Sequence, residues 1–224
     1  MTPSQPSLIF LHIPKTGGRT LEKIIEHNYP PQFIYNVVPG RNSIMDFKAL
    51  PDDARNQYQV IKGHLFFGVH TCLSKATYIT ILREPVDRIL SNYYFVLRNP
   101  KHALHKKVAG GKLTIEKYLE SGVNPQLENG QVRMLSGMEE SVLSEESTQE
   151  MLNLAKGHLV RHFTVVGLTE RFNDSLLLLK KHLGWKTIDH QVLNATPNRP
   201  SKSEMASSTL KLIEKYNQLD LDLY

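Results

Sequence analysis

The sequence predicts an α/β protein in which helices cover both faces of a central parallel sheet. Three short apolar runs have the composition of strands buried on both faces: residues 8–13, residues 78–82 and Phe163–Leu168. Residues 58–61 form a weaker fourth run. Stretches with the apolar spacing of helices alternate with these runs, and such alternation is typical of parallel sheets.

Residues typical of helix starts and ends locate the later helices in the sequence. Pro85 marks the start of a helix after the run at residues 78–82, because proline suits the first helical turn. A second helix is predicted over Phe172–Leu183, with Gly184 as its C-terminal cap. We expect Ser203 to cap a final helix. That helix would carry Met205, Thr209, Leu212, Ile213 and Tyr216.

The amino-acid composition limits the classes of function that this protein can have. The 224 residues include one cysteine, Cys72, so an internal disulfide is excluded and a reducing compartment is favoured. The chain has 27 basic and 22 acidic residues, a net charge of +5, which favours anionic partners. No basic tract indicates nucleic-acid binding, and no apolar run is long enough for a signal peptide or a membrane span. We therefore expect a soluble, cytoplasmic protein, although a trimmed lumenal domain would have the same sequence features.

The strongest motif joins the first predicted strand to a helix. The segment runs Pro14-Lys15-Thr16-Gly17-Gly18-Arg19-Thr20, and the helix then presents Leu21, Ile24 and Ile25 on one face. Backbone amides at a helix start attract anions, glycines allow close approach, and Lys15 with the two threonine hydroxyls adds donors. An ordinary strand-to-helix turn could contain the same glycines. The lysine precedes the glycines, so this is not the triphosphate loop of kinases and ATPases, and no Asp-ending strand predicts a Mg²⁺ site.

A second motif follows the run at residues 78–82. Arg83 lies at the end of the predicted strand, and Ser91 lies one to two turns into the next helix. An arginine fork with a hydroxyl suits a terminal phosphate. A structural ion pair of Arg83 with Glu84 or Asp87 is an equally open interpretation.

Together the two motifs resemble the sulfotransferases that use 3'-phosphoadenosine-5'-phosphosulfate (PAPS), in particular the carbohydrate branch that includes heparan sulfate 2-O-sulfotransferases. The resemblance implies a P-loop-like sulfotransferase fold, in which Lys15 to Thr20 bind the 5'-phosphosulfate without a metal. It also implies that Arg83 and Ser91, followed by the aromatic residues 93–95, bind the 3'-phosphate. Residues 167–172 and 217–224 continue the resemblance more weakly. Arg19 departs from it, because the family usually has threonine or serine there.

Transfer of a sulfuryl group to a hydroxyl requires a general base, and His64 is the candidate residue. It follows the weaker strand at the sheet edge where α/β proteins bind ligands, and the resemblance implies a catalytic histidine in this segment. The related enzymes have a second histidine where this chain has Lys62. A hydrogen-bonded loop histidine is the alternative for His64. We interpret His12 as a satisfied core residue of the first strand, and His102 with His105 as a solvated helix face rather than a metal site.

We interpret residues 1–224 as one domain, in which residues 99–156 form a helical insertion with two helices and acceptor contacts. Candidate acceptor residues are His70, Gln131 and Arg133, and residues 194–201 are a candidate loop over the nucleotide. The predicted activity is sulfuryl transfer from PAPS to a hydroxylated acceptor, with a carbohydrate as the expected acceptor. A Mg-ATP-dependent kinase of small molecules and a non-catalytic glycan- or nucleotide-binding module remain alternatives. The oligomeric state is open.

Overall fold

The structure, a computed structural model, describes residues 6–38, 43–138, 145–189 and 200–224. In these ranges the strands are β1 (Ser7–Leu11), β2 (Ile34–Val37), β3 (Val60–Gly63), β4 (Ala76–Leu82) and β5 (Phe163–Leu168). The helices before β5 are α1 (Gly18–Asn28), α2 (Ile44–Ala49), α3 (Asp52–Arg55), α4 (Pro85–Arg98), α5 (His105–Ala109), α6 (Ile115–Glu120), α7 (Gly130–Ser136) and α8 (Glu145–His162). The helices after β5 are α9 (Phe172–Leu183), α10 (Ser207–Tyr216) and α11 (Gln218–Leu223).

The strands form one all-parallel sheet in the order β2-β3-β1-β4-β5, which confirms the predicted fold class. The bounds of β5 and α9 are those expected from the sequence, and Gly184 ends α9 in the left-handed conformation, with φ of 67°. β1 ends at Leu11, so His12 follows the strand instead of lying inside it. The edge strand β2 was not predicted.

Apolar side chains fill both faces of the sheet. On one face, Leu8 and Phe10 of β1 pack in a cluster with residues of α1 and α9. On the other face, Ile9 and Leu11 pack in a cluster with residues of α7 and α8. Alternate residues of a strand point to opposite faces, so burial on both sides explains why β1 is apolar throughout.

Two helical expectations need correction. Ser203 does not cap the last long helix, because α10 begins at Ser207 with Ala206 at its N-cap. Ser201 and Glu204 instead form a capping box around a single 3₁₀ turn, Lys202–Glu204. The described parts of the predicted insertion 99–156, residues 99–138 and 145–156, contain α5, α6, α7 and the start of α8 rather than two helices. The assignment of residues 1–224 to one domain stays a prediction.

A separate apolar cluster joins α4 to α5, α6 and α10 beside the sheet. None of the helices in the described ranges combines the length and the hydropathy needed to cross a bilayer.

A buried ion pair connects α4, α7 and α11. Arg88 Nη2 lies 3.2 Å from Asp220 Oδ2, and both side chains are 0% exposed. The same carboxylate accepts from the backbone N–H groups of Gln131 at 3.1 Å and Val132 at 2.8 Å, so it caps the amino end of α7. Burial raises the pKa of Asp220, since desolvation of the carboxylate outweighs these contacts.

The Asp220→Asn variant should lower the free energy of unfolding by about 3 to 5 kcal/mol, because it leaves the Arg88 guanidinium buried without its counter-charge. The matched control is Asp174→Asn, which removes one partner of the exposed Arg171–Asp174 pair and should cost less than about 1 kcal/mol. Urea denaturation of both variants provides the measurement. Equal losses in the two variants would contradict the role assigned to the buried pair.

Candidate active site

The carboxyl ends of three neighbouring strands bring the main candidate residues together. β1, β3 and β4 are adjacent and parallel, so the segments that follow them lie at one edge of the sheet. Lys15 belongs to the segment after β1, His64 follows β3, and Arg83 follows β4. The structure therefore places these three residues at the same edge, as the sequence predicted.

The segment from Lys15 to Gly18, here called the phosphate loop, turns sharply into α1. Lys15 and Gly17 both adopt left-handed conformations, with φ of 72° and 82°. Gly17 is the N-cap of α1, which has no side-chain cap and no acidic residue in its first turn. The amino end of α1 therefore offers its amides and its partial positive charge to an anion.

Thr16 and Gly18 make contacts that stabilise the conformation of the phosphate loop. The Thr16 side chain is buried, and its hydroxyl donates to the carbonyl of Ile13 at 2.8 Å. This corrects the expectation that the hydroxyl faces the ligand, and it leaves the Thr16 backbone as the part that can contact an anion. Gly18 lies against the His12 ring, where an added Cβ would come within 2.0 Å of Nε2. Close ring packing thus explains the second glycine. Thr20 is buried in the first turn of α1.

The two motifs that were identified separately in the sequence are in direct contact. Arg83 Nη1 donates to the backbone carbonyl of Lys15 at 3.0 Å. The Thr169 hydroxyl lies 2.9 Å from the Thr16 carbonyl and 3.0 Å from the Leu82 carbonyl, so it also connects the loop to the end of β4. The predicted sites for the two ends of the donor therefore lie on the same side of the sheet.

The Lys15 ammonium lies in a strongly cationic environment. Its Nζ is 3.9 Å from the centroid of the Phe95 ring. Partial burial and, in decreasing order, the charges of Arg83, Arg19 and Arg98 together lower the pKa of Lys15 to about 8. Repulsion of this kind is relieved when an anion binds among the cations.

Arg98 was missed by the sequence analysis, although a signal for it exists. Ser91, Phe95 and Arg98 have the spacing of one helix face on α4, which is the face that carries the contact with Lys15. Ser91 is buried, whereas Arg98 is exposed. Arg19 is also exposed and acts electrostatically on both Lys15 and His64. The roles of Ser91 and Arg19 in donor binding stay predictions.

The two ring nitrogens of His64 have different surroundings. Its Nδ1 lies 2.7 Å from the backbone carbonyl of His12, which can only accept, so Nδ1 carries the proton and neutral Nε2 keeps its lone pair. His64 is exposed at the surface. Even so, the protein atoms around its ring desolvate the charged form and, with His12 and Arg19, hold the pKa of His64 below its usual range. The ring is therefore mostly neutral at pH 7.

His12 is buried next to His64. Its Nδ1 lies 2.9 Å from Glu22 Oε1, so the hydrogen bonding expected of a buried histidine is present. Its ring centroid is 4.4 Å from that of His64. Burial acts to raise the pKa of Glu22, but the His12 hydrogen bond and the nearby charges outweigh it and hold that pKa low. Lys62, also buried, donates to Glu26 at 3.0 Å.

The three candidate acceptor residues do not form one group: His70 lies apart from Gln131 and Arg133. Gln131 is 1% exposed, and its side-chain amide accepts from Arg83 N–H and donates to Arg83 C=O, so it holds the backbone of Arg83 instead of an acceptor. Arg133 is buried on the same short helix. His70 packs with Phe67, Tyr78 and His162, towards the amino ends of β4 and β5.

In the described ranges, no group of three or more His, Cys, Asp or Glu side chains is arranged to hold a metal ion. His102 accepts from Leu104 N–H, and His105 Nδ1 lies 3.1 Å from the Val96 carbonyl. Most of the candidate nucleotide loop, residues 194–199, lies outside the described residues.

Comparison with known proteins agrees with this geometry. Residues 1–224 match the family model described as "Sulfotransferase family". A Drosophila melanogaster protein named heparin sulfate O-sulfotransferase is 25% identical, over 97% of this chain and 69% of its own length. The Caenorhabditis elegans heparan sulfate 2-O-sulfotransferase hst-2 is also 25% identical, over 79% of this chain and 60% of its own length.

A solved structure shares the fold. The sulfotransferase from Alicyclobacillus acidocaldarius superposes with a TM-score of 0.50 at 17% identity, covering 98% of this chain and 94% of that one. The residues matched by the family model include the phosphate loop, the end of β4 and His64. The chain belongs to the sulfotransferase family.

Proposed function

We propose that this protein transfers a sulfuryl group from PAPS to a hydroxyl of a carbohydrate acceptor, with His64 as the general base. The observation that carries the proposal is the contact between Arg83 and Lys15, which brings both anion-binding motifs to one edge of the sheet. Family membership and the names of the heparan sulfate relatives support the reaction and the acceptor class.

The donor is held by the cations and amides at the strand ends. The phosphate-loop amides and Lys15 bind the 5'-phosphosulfate, while Arg83 and Ser91 bind the 3'-phosphate. Lys15 also neutralises negative charge on the bridging oxygen as the bond between sulfur and that oxygen breaks. Binding of this kind needs no metal, because the protein supplies the positive charge.

The transfer itself is an in-line displacement. His64 Nε2 takes the proton of the acceptor hydroxyl as its oxygen forms a bond to sulfur, and adenosine 3',5'-bisphosphate leaves with the electrons of the broken S–O bond. The exposed Arg19 and Arg98 favour an acceptor that carries carboxylate or sulfate groups, as heparan-type glycans do.

The Lys15→Ala variant should weaken binding of adenosine 3',5'-bisphosphate by roughly 10- to 100-fold, because it removes one charged hydrogen bond. The matched control is Lys23→Ala, an exposed lysine on α1 that pairs with Glu26, and it should change the affinity less than about twofold. Calorimetry with EDTA present provides the measurement. Affinity only for ATP, and only with Mg²⁺, would support the kinase alternative and overturn this proposal.

The pH profile of kcat/KM should be bell-shaped. Activity rises with pH as His64 loses its proton, with a midpoint below its usual value of 6.5, and falls as Lys15 loses its proton near pH 8. In Lys15→Arg the cation persists at high pH, so the alkaline limb should disappear while the acid limb stays. An unchanged alkaline limb in that variant would contradict the role of Lys15.

The His64→Ala variant should lower kcat/KM by roughly 100- to 10,000-fold while the affinity for adenosine 3',5'-bisphosphate is kept. Transfer of labelled sulfate from PAPS to glycan acceptors gives the rate. If the wild-type protein binds the donor but shows no turnover with any acceptor tested, the result would instead support the non-catalytic binding module.

A further inference from the structure

His12 contacts both the base and the phosphate loop. We propose that His12, held in place by Glu22, is a positioning residue that aligns His64 with the phosphate loop during transfer. The inference rests on the proposed function, since it takes His64 as the base. The sequence alone predicts only a core role for His12.

The backbone of His12 determines which nitrogen of His64 is free. Its carbonyl accepts from His64 Nδ1 at 2.7 Å, which leaves Nε2 as the nitrogen that can take a proton. The N–H of His12 donates to the carbonyl of Gly63 at 3.0 Å, one residue before His64. Both polar groups of this backbone unit therefore bind the segment that carries the base.

The ring of His12 lies between the base and the loop. It stacks on Phe10 with centroids 5.2 Å apart and an interplanar angle of 9°, and it is 4.4 Å from the His64 ring. On the other side it lies so close to Gly18 that a Cβ there would overlap it. A shift of this ring would move His64 relative to the loop, and small misplacements of reacting groups are costly.

Glu22 fixes the ring and supplies a negative charge. The carboxylate can only accept, so the 2.9 Å contact places a proton on His12 Nδ1. Burial and the nearby cationic groups lower the pKa of His64, whereas the hydrogen bond to the His12 carbonyl and the negative charge of Glu22 raise it. When His64 takes the acceptor proton, the nearby carboxylate stabilises the imidazolium that forms.

Glu22→Gln tests the proposal without a change of side-chain size. Loss of the charge should move the acid limb of the kcat/KM profile to lower pH, because the negative charge of Glu22 helps to raise the pKa of His64. The glutamine side chain can still accept from His12 Nδ1, so kcat should fall by roughly 10-fold through the lost charge alone, with the affinity for adenosine 3',5'-bisphosphate within about twofold. The matched control is Glu26→Gln, one turn along α1, which should leave both the limb and kcat near wild type.

Glu22→Asp distinguishes the effect of the carboxylate charge from the effect of its hydrogen bond to His12. The charge is kept, so the acid limb should stay in place, while the shorter side chain loses its bond to His12 and kcat should fall. If Glu22→Gln does not fold, Glu22→Asp and Glu26→Asp decide the matter, and equal kcat values in these two would overturn the proposal. A folded Glu22→Gln that behaves like Glu26→Gln would overturn it as well.

Gly18→Ala tests the ring contact directly. The added methyl group must displace the His12 ring, so kcat should fall by roughly 100-fold. Gly157→Ala in α8 is the control, because its methyl group would meet only the mobile end of Arg161. Equal kcat in the two variants would contradict the inference. Full activity in His64→Ala would instead refute the proposed base, which keeps the two failures distinguishable.

Discussion

The buried ion pair between Arg88 and Asp220 anchors a chain of polar contacts that ends at the phosphate loop. Asp220 binds the backbone N–H of Gln131 at the start of α7, and the Gln131 side chain binds both the N–H and the C=O of Arg83. Arg83 in turn donates to the carbonyl of Lys15. The position of the loop lysine thus depends on a carboxylate in α11, which is connected to the loop through Gln131 and Arg83.

Such a pair is a costly way to join helices, since apolar side chains of similar volume often pack as stably. The raised pKa of Asp220 is a sign of that cost. Apolar packing would allow α4, α7 and α11 to slide by small amounts, whereas charged hydrogen bonds have defined lengths and directions. Because Ser91 and Phe95 lie on α4 with Arg88, a fixed α4 keeps the predicted phosphate contacts in register with the loop.

The sequence predicted the features that depend on local chemistry. The apolar pattern located β5 and α9, and the strand-to-helix glycines located the phosphate loop with Lys15. The sequence could not predict features that depend on contacts between residues far apart in the chain. Gln131 is polar in the sequence, but its partner is the backbone of Arg83, which no pattern reveals. Glu22 falls at an ordinary helical position, and only the fold brings it to His12. The short edge strand β2 lacks a distinctive apolar run.

The long separations within this network determine when the site can form. Arg88 and Asp220 are 132 positions apart, and the hydroxyl of Thr169 bonds to Thr16 across 153 positions. Closing loops of that length costs chain entropy before any contact repays it, so we expect such contacts to form late in folding. The sheet and its apolar layers can collapse first, and donor affinity then arises only in the last steps. Nucleotide binding is accordingly a stricter criterion of complete folding for this protein than its secondary structure content.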